Sequence, residues 1–257
     1  MESGKKTFPG IFTKKTFYIY TKAKQKYEHG MFNIFKLFIQ YFDSNYWNAY
    51  YDGDDEHIEW YDSWVDISKN IPLEIKVDSR VLHIGCGSSS LGIDLFNSGV
   101  ESVINADFSE VCINLMKKKY PHLTCKLLKS YSCLDILLDA LDIDTKFSEN
   151  FFDFIIDKGC LDSILCHENY QEKVQKLLEN FYTCLKVEGY LIVISGGNPE
   201  ERLIYFNNDV WKVEVVKMRK QGVDLLANFE DEEVVEEIPE INYFYTYICL
   251  KRSLDSI

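Results

Sequence analysis

From Arg80 onward the chain repeats one pattern, a short run of near-continuous apolar residues followed by a longer stretch with helical spacing. The runs are Arg80–Ile84 (RVLHI), Ser102–Ala106 (SVINA), Leu123–Leu128, Phe152–Ile156 (FDFII) and Tyr190–Ile194 (YLIVI). The helical stretches between them are Ser90–Asn97, Glu110–Lys119 and Gln171–Lys186. Strands that are apolar on both faces must be covered on both faces, which requires a parallel sheet with crossover helices, the doubly wound α/β class. Ligands of such sheets bind beyond the carboxyl ends of the strands. The tail departs from the pattern. Val210–Arg219 (VWKVEVVKMR) alternates as a half-buried strand does, and Asn242–Leu250 (NYFYTYICL) is a strand with no helix before it. Between them lies an acidic linker, Glu230–Glu240, with seven carboxylates in eleven residues. Strands joined without a crossover helix pair antiparallel, so the sheet is expected to end in a hairpin.

With 257 residues, 46% of them hydrophobic and 15% aromatic, the chain can bury one sizeable core. Lys and Arg number 28 against 41 Asp and Glu, a net charge of −13 that opposes attraction to phosphate backbones or anionic lipid. Nucleic acid and membrane surfaces are therefore not expected partners, whereas a basic protein or a cationic ligand is. The eight cysteines never form a C-x-x-C pair and sit mostly in apolar runs, which reads as reduced, buried thiols of a cytoplasmic protein with no zinc site or other metal centre. The longest apolar segment, Met31–Phe42, is broken by Asn33, Lys36 and Gln40 and is too short for a membrane span.

The first 30 residues carry seven lysines against Glu2 and Glu28, a basic arm of +5. An organelle-targeting segment is the alternative, opposed by the absence of arginine there. Apolar residues at 32, 35, 38, 39 and 42 then mark one face of a docking helix, so residues 1–44 are read as arm and helix and 45–257 as the main domain. Asn45–Trp64 packs three tryptophans and four tyrosines among six carboxylates, too aromatic for a solvated linker. Its rings form either a lid over the domain's own core or a wall of a ligand site.

The first strand runs into Gly85-Cys86-Gly87-Ser88 and then a helix. Glycines at such a turn let backbone approach a ligand, and the helix start supplies free N–H donors. The second strand ends in Asp107-Phe108, and Asp107 stands 20 residues beyond Gly87, the spacing of a carboxylate that accepts hydrogen bonds from ribose hydroxyls. Ser109 is better placed than Asp107 to cap the next helix. Ser90 occupies the position of the third glycine of dinucleotide sites, and no Walker lysine follows. S-adenosylmethionine, which has a ribose but no phosphate, fits best. The fourth strand ends in Asp157-Lys158-Gly159-Cys160-Leu161-Asp162, with Asp157 at its carboxyl end. The Asn/Asp-Pro-Pro-aromatic motif of base methylation is missing there. His83, in mid-strand, reads as a core histidine.

Together, Asn45-Tyr46-Trp47 with Tyr51, Glu59-Trp60-Tyr61, Gly85-Cys86-Gly87-Ser88-Ser89, Asp107-Phe108-Ser109 and Asp157-Lys158-Gly159-Cys160-Leu161-Asp162 resemble the methyltransferase-like family, nearest to its lysine methyltransferases of translation elongation factor 1-alpha. The resemblance spans about residues 45–195. It implies a seven-stranded class I, Rossmann-like methyltransferase fold ending in an antiparallel hairpin. It further implies that Trp47, Tyr51, Trp60 and Tyr61 close over the methionine end of S-adenosylmethionine, and that Gly85, Cys86, Gly87, Asp107, Phe108, Asp157 and Lys158 bind cofactor. Ser88-Ser89 and Cys160 depart from the family's Asn-Ser and Thr. Between Leu128 and Asn150 the chain carries about a dozen extra residues, leaving Asp139 or Asp142 as the carboxylate near the adenine.

The expected activity is methylation of a lysine on a basic protein such as translation elongation factor 1-alpha, with Asp157 as the catalytic group that orients or deprotonates the amine. A small-molecule methyltransferase and a non-catalytic cofactor-binding partner are the other readings.

Overall fold

In a computed structural model, which describes residues 40–52, 59–121, 132–206, 209–219 and 243–253, seven strands form a single sheet. They are β1 (Arg80–Ile84), β2 (Ser102–Asp107), β3 (Ser132–Leu137), β4 (Phe152–Lys158), β5 (Leu185–Ser195), β6 (Trp211–Arg219) and β7 (Tyr243–Lys251). Their order across the sheet is β3-β2-β1-β4-β5-β7-β6, with β1 to β5 parallel and β7 antiparallel to both its neighbours. The expected doubly wound sheet and terminal hairpin are both present. The hairpin turns inward, so that β7 rather than β6 meets β5.

Eight α-helices accompany the strands among the described residues: α1 (Ser44–Tyr51), α2 (Trp64–Ser68), α3 (Leu91–Asn97), α4 (Glu110–Lys119), α5 (Ile143–Lys146), α6 (Cys160–Ile164), α7 (Tyr170–Cys184) and α8 (Pro199–Phe206). Alternate side chains of each strand feed opposite faces of the sheet. Leu82, Ile84, Ile155, Leu191 and Tyr247 pack with Ile143, Leu161, Leu177, Phe181 and Phe206 of α5 to α8. Val81, Val103, Phe154, Ile192 and Ile248 pack instead with Trp64, Ile67, Leu91 and Leu95 of α2 and α3. Covering both faces is what the unbroken apolar strand runs require.

The predicted strand Leu123–Leu128, the linker Glu230–Glu240, the basic arm and nearly all of the docking helix lie outside the described residues; of the last, Gln40–Phe42 form a single 3-10 turn. The strand paired to β2 is Ser132–Leu137, inside the stretch read as an insertion. A carboxylate at Asp135 interrupts its apolar run, and Asn105 on β2 accommodates it by donating to Asp135 Oδ1 at 2.9 Å. His83 is fully buried as a core residue, and burial drives its pKa down to about 3, leaving the ring neutral.

β7 is the seam of the antiparallel half. Tyr247 on it is fully buried, packs against Phe206 with tilted rings and donates its hydroxyl hydrogen to the Gly197 carbonyl at 2.8 Å. Tyr247→Phe leaves that carbonyl unpaired and is expected to cost about 1 kcal/mol, and Tyr247→Ala, which also opens a cavity, about 3–5 kcal/mol. Urea denaturation midpoints of the two variants check this ordering.

Candidate functional site

At the carboxyl end of β1, Gly85 and Gly87 have φ of +59° and +51°, the left-handed region that favours glycine. Space imposes the same choice. A Cβ on Gly85 would stand 2.7 Å from Cβ of Cys160, and one on Gly87 would stand 2.7 Å from the Tyr51 hydroxyl. One β2 carboxylate ties this turn to its neighbour. Asp107 accepts from the Gly87 N–H at 2.9 Å and from the Ser109 N–H at 2.8 Å. Burial pushes its pKa up to about 6 against these hydrogen bonds. Ser109 caps α4 by accepting from the Cys112 N–H at 3.1 Å, as the sequence suggested.

The aromatic segment divides. Trp64 belongs to the core with Ile67 and Val81. Trp47, Tyr50, Tyr51 and Trp60, with Tyr41, Phe42 and Phe108, line a cleft above the strand ends, so most of these rings form a wall rather than a core lid. Trp47 and Tyr51 stack at 5.9 Å between ring centroids, and Trp47 Nε1 donates to the Tyr41 carbonyl at 2.8 Å. α1 is held to the start of α4 through Asn48, whose Oδ1 accepts from the Ser109 hydroxyl at 2.7 Å.

Two buried polar groups hold the segment around Trp60. Lys158 Nζ donates to Glu59 and, at 2.9 Å, to the Trp60 carbonyl. Glu59 also accepts from the Ser89 hydroxyl at 2.7 Å and the Ser90 N–H at 3.0 Å. Burial pushes Glu59 upward, yet the Lys158 ammonium outweighs it and the carboxyl ends below its usual range. One residue on, the Tyr61 hydroxyl donates to Asp162, whose other oxygen accepts from Ser195 Oγ at 2.6 Å and Arg202 Nη2 at 2.8 Å.

The cleft is also lined by Gly85, Cys86, Gly87, Ser88, Ser89, Asp107, Leu138, Asp139, Ala140, Lys158, Gly159, Cys160, Ser163 and Ile164. Trp47, Tyr51, Trp60, Gly85, Cys86, Gly87, Asp107, Phe108 and Lys158 are therefore brought together, while Tyr61 and Asp157 are not. Tyr61 is turned to Asp162. Asp157 is fully buried, and its carboxylate accepts from the N–H groups of Cys160 at 2.9 Å and Leu161 at 2.9 Å, capping α6. The expected catalytic residue thus lies beneath the cleft and is not among the residues that line it. Asp139 lines the cleft, whereas Asp142 is exposed and paired with Lys176, which separates the two candidates for the adenine side. Glu59, Tyr41 and Tyr50 join the site beyond the expected residues, although Glu59 stands in the Glu59-Trp60-Tyr61 motif and the tyrosines bracket Trp47.

The residues fit a nucleoside-bearing cation. The cleft lies beyond the carboxyl ends of β1, β2 and β4, where ligands of parallel sheets bind. It offers a carboxylate, a glycine turn and aromatic faces that attract a sulfonium. Among the described residues no cluster of metal-ligating side chains occurs, and no helix is long and apolar enough to cross a membrane.

A family described as "Methyltransferase domain" matches residues 75–238, more than half of the chain. The chain is similar to the human eEF1A lysine and N-terminal methyltransferase, 26% identical over 204 residues that cover 77% of this chain and 27% of that protein. It is 30% identical to mouse EEF1A lysine methyltransferase 4, covering 65% of this chain and 64% of the relative. A zebrafish mitochondrial citrate synthase-lysine N-methyltransferase is 26% identical over 64% of this chain and 62% of its own. The chain spans about a quarter of the length of the first of these relatives. Among solved structures, a Methanosarcina mazei SAM-dependent methyltransferase covers 74% of this chain and 99% of its own at a TM-score of 0.51 and 14% identity. Phosphoethanolamine N-methyltransferase 2 of Haemonchus contortus covers 85% of this chain and 60% of its own at a TM-score of 0.53, also at 14% identity. Fold and site define a class I methyltransferase. The chain belongs to the methyltransferase domain family, and its cofactor is S-adenosylmethionine.

Burial, with Asp162 adding, pushes the Asp157 pKa up to about 8. The folded value lies above the unfolded one, so this group's contribution to stability is fully present below about pH 4 and is lost as pH rises toward 8. Asp157→Asn is expected to flatten the fall in denaturation midpoint over that window. Asp157→Ala, which strips the cap, is expected to lower stability by about 1–2 kcal/mol at neutral pH. Urea titrations from pH 4 to 8 check both.

Proposed function

We propose that the protein methylates a lysine ε-amine on a basic protein, with translation elongation factor 1-alpha the leading substrate. The observation that carries this reading is the aromatic wall of Trp47, Tyr50, Tyr51 and Trp60 facing the Gly85–Gly87 turn and Asp107 across one cleft. The names of the human, mouse and zebrafish relatives support a protein lysine as acceptor. The net charge of −13 favours a basic protein over nucleic acid. The catalytic unit is residues 45–257, preceded by the basic arm, and the cysteine usage favours the cytoplasm.

When bound, S-adenosylmethionine would supply a sulfonium-borne methyl to an unprotonated amine attacking in line, the C–S bond breaking as the neutral thioether S-adenosylhomocysteine leaves. In this reading Asp107 accepts from the ribose hydroxyls, and the backbone of Gly85, Cys86 and Gly87 gives the cofactor close approach. Trp47, Tyr50, Tyr51 and Trp60 exclude water and offer ring faces to the cations at the reacting end. An apolar wall also lowers the pKa of an entering lysine, which promotes loss of its proton before attack. Chain residues mainly hold the nucleophile and the methyl in a near-attack arrangement. Asp157 acts as a positioning residue through the α6 turn that carries Cys160.

Transfer of labelled methyl into a cell lysate, wild type beside Asp107→Ala, tests the reading. The expected result is a labelled protein of the elongation factor's size, with the label on lysine. Cofactor affinity should fall roughly tenfold to hundredfold in the variant, the scale of a lost charge-assisted hydrogen bond. Label confined to small molecules would overturn the protein-substrate reading, and cofactor binding without any label would overturn catalysis.

A further inference from the structure

Lys158, the last residue of β4, lines the cleft beside Trp60 and Gly159 and is the only basic side chain among the described residues that do so. Its side chain is 2% exposed, so water screens its ammonium weakly. The cofactor's reacting end is a sulfonium cation, while the product left after transfer, S-adenosylhomocysteine, is a neutral thioether. A bare ammonium in this wall would oppose the first and be indifferent to the second. Glu59 removes that penalty. Its carboxylate meets Lys158 directly and is fixed from the other side by the Ser89 hydroxyl and the Ser90 N–H.

We propose that Glu59 is a specificity-determining residue which, by neutralising Lys158 in the cleft wall, sets how tightly the cationic cofactor is held relative to its neutral product. The proposal rests on S-adenosylmethionine occupying this cleft. The lysine is retained because it performs positioning work. Its ammonium ties both Glu59 and the Trp60 carbonyl to the end of β4, and so carries the aromatic wall. Asp107 and Asp139 line the same cleft, and Asp62 also bears electrostatically on Lys158. These groups are common to all variants below and drop out of the comparison.

The test measures dissociation constants for S-adenosylmethionine and S-adenosylhomocysteine by isothermal titration calorimetry on wild type, Glu59→Gln, Lys158→Met and the double variant, with thermal melts to verify folding. The discrimination ratio, product constant over cofactor constant, is expected to fall about tenfold in Glu59→Gln, where the ammonium is unpaired. It should rise in Lys158→Met, where a carboxylate remains alone, and return near the wild-type value in the double variant. If both affinities fall together and the ratio stays constant in the single variants, the pair only positions and the proposal is overturned. Should Glu59→Gln fail to fold, Lys158→Met carries the same test with opposite sign. A wild type that binds neither ligand would overturn the underlying assignment of the cleft, a result distinct from an unchanged ratio.

Discussion

The contact on which the site depends is the approach of the turn after β1 to the turn after β4. The two strands are neighbours in register, Ile84 beside Asp157, and both chains must leave the sheet at the same level. Gly85 and Cys160 then meet so closely that any Cβ on residue 85 would overlap the cysteine's own. Removing a side chain at one of the two positions lets α6 start beside the glycine turn, which places Cys160, Ser163 and Ile164 at the base of the cleft. The Asp157 carboxylate fastens the arrangement from beneath by accepting the first N–H groups of α6. A carboxylate buried without cation contact is costly, and the helix-start donors partly offset that cost.

The second layer hangs on the first through polar anchors. Asn48 reaches Ser109, Glu59 reaches the start of α3 and Lys158, and Tyr61 reaches the Asp162–Arg202 pair, which is 4–5% exposed on both side chains. Buried ion pairs contribute little net stability compared with apolar packing, so their use here is better understood as fixing one geometry. Tyr61 illustrates the point with φ of +66°, an uncommon backbone state for an aromatic residue. Such a conformation persists only where the surroundings over-determine it, and here Asp162 holds the side chain while Lys158 holds the preceding carbonyl. The reward is a fixed orientation for Trp60, the ring next to Lys158 in the cleft wall.

What was legible in the sequence follows from which forces act locally. The strands β1, β2, β4 and β5 could be read because burial on both faces demands unbroken apolar runs, and the Gly85–Gly87 turn because left-handed backbone selects glycine. β3 is hidden in the sequence because Asp135, tolerated through Asn105 on the next strand, breaks its run; only the pairing reveals the compensation. The short helices α2, α5 and α6 span four or five residues each, too few for a 3.6-residue period to show. The role of Glu59 is not legible locally, since its partners Ser89 and Lys158 lie 30 and 99 residues away. The aromatic segment could be recognised as covering something, but Trp64 and Trp60 are four residues apart and go to the core and the cleft respectively, a division set by tertiary packing.

The least legible distinction was between Asp107 and Asp157, two acids in the same situation, each at the carboxyl end of a parallel strand with a helix to follow. Their fates differ because of what comes next. After Asp107 the chain supplies Ser109, whose hydroxyl caps α4, so the carboxylate is free to bridge to Gly87 and remain on the cleft wall. After Asp157 it supplies Gly159 at φ +88°, which offers no capping side chain, and the carboxylate itself must turn inward to satisfy the first donors of α6. Helix starts leave N–H groups that something must accept, and a hydroxyl two residues on releases the strand-end acid for ligand work where a glycine two residues on conscripts it for structure. That difference, a serine against a glycine, separates a carboxylate left on the cleft wall from one sealed beneath the site.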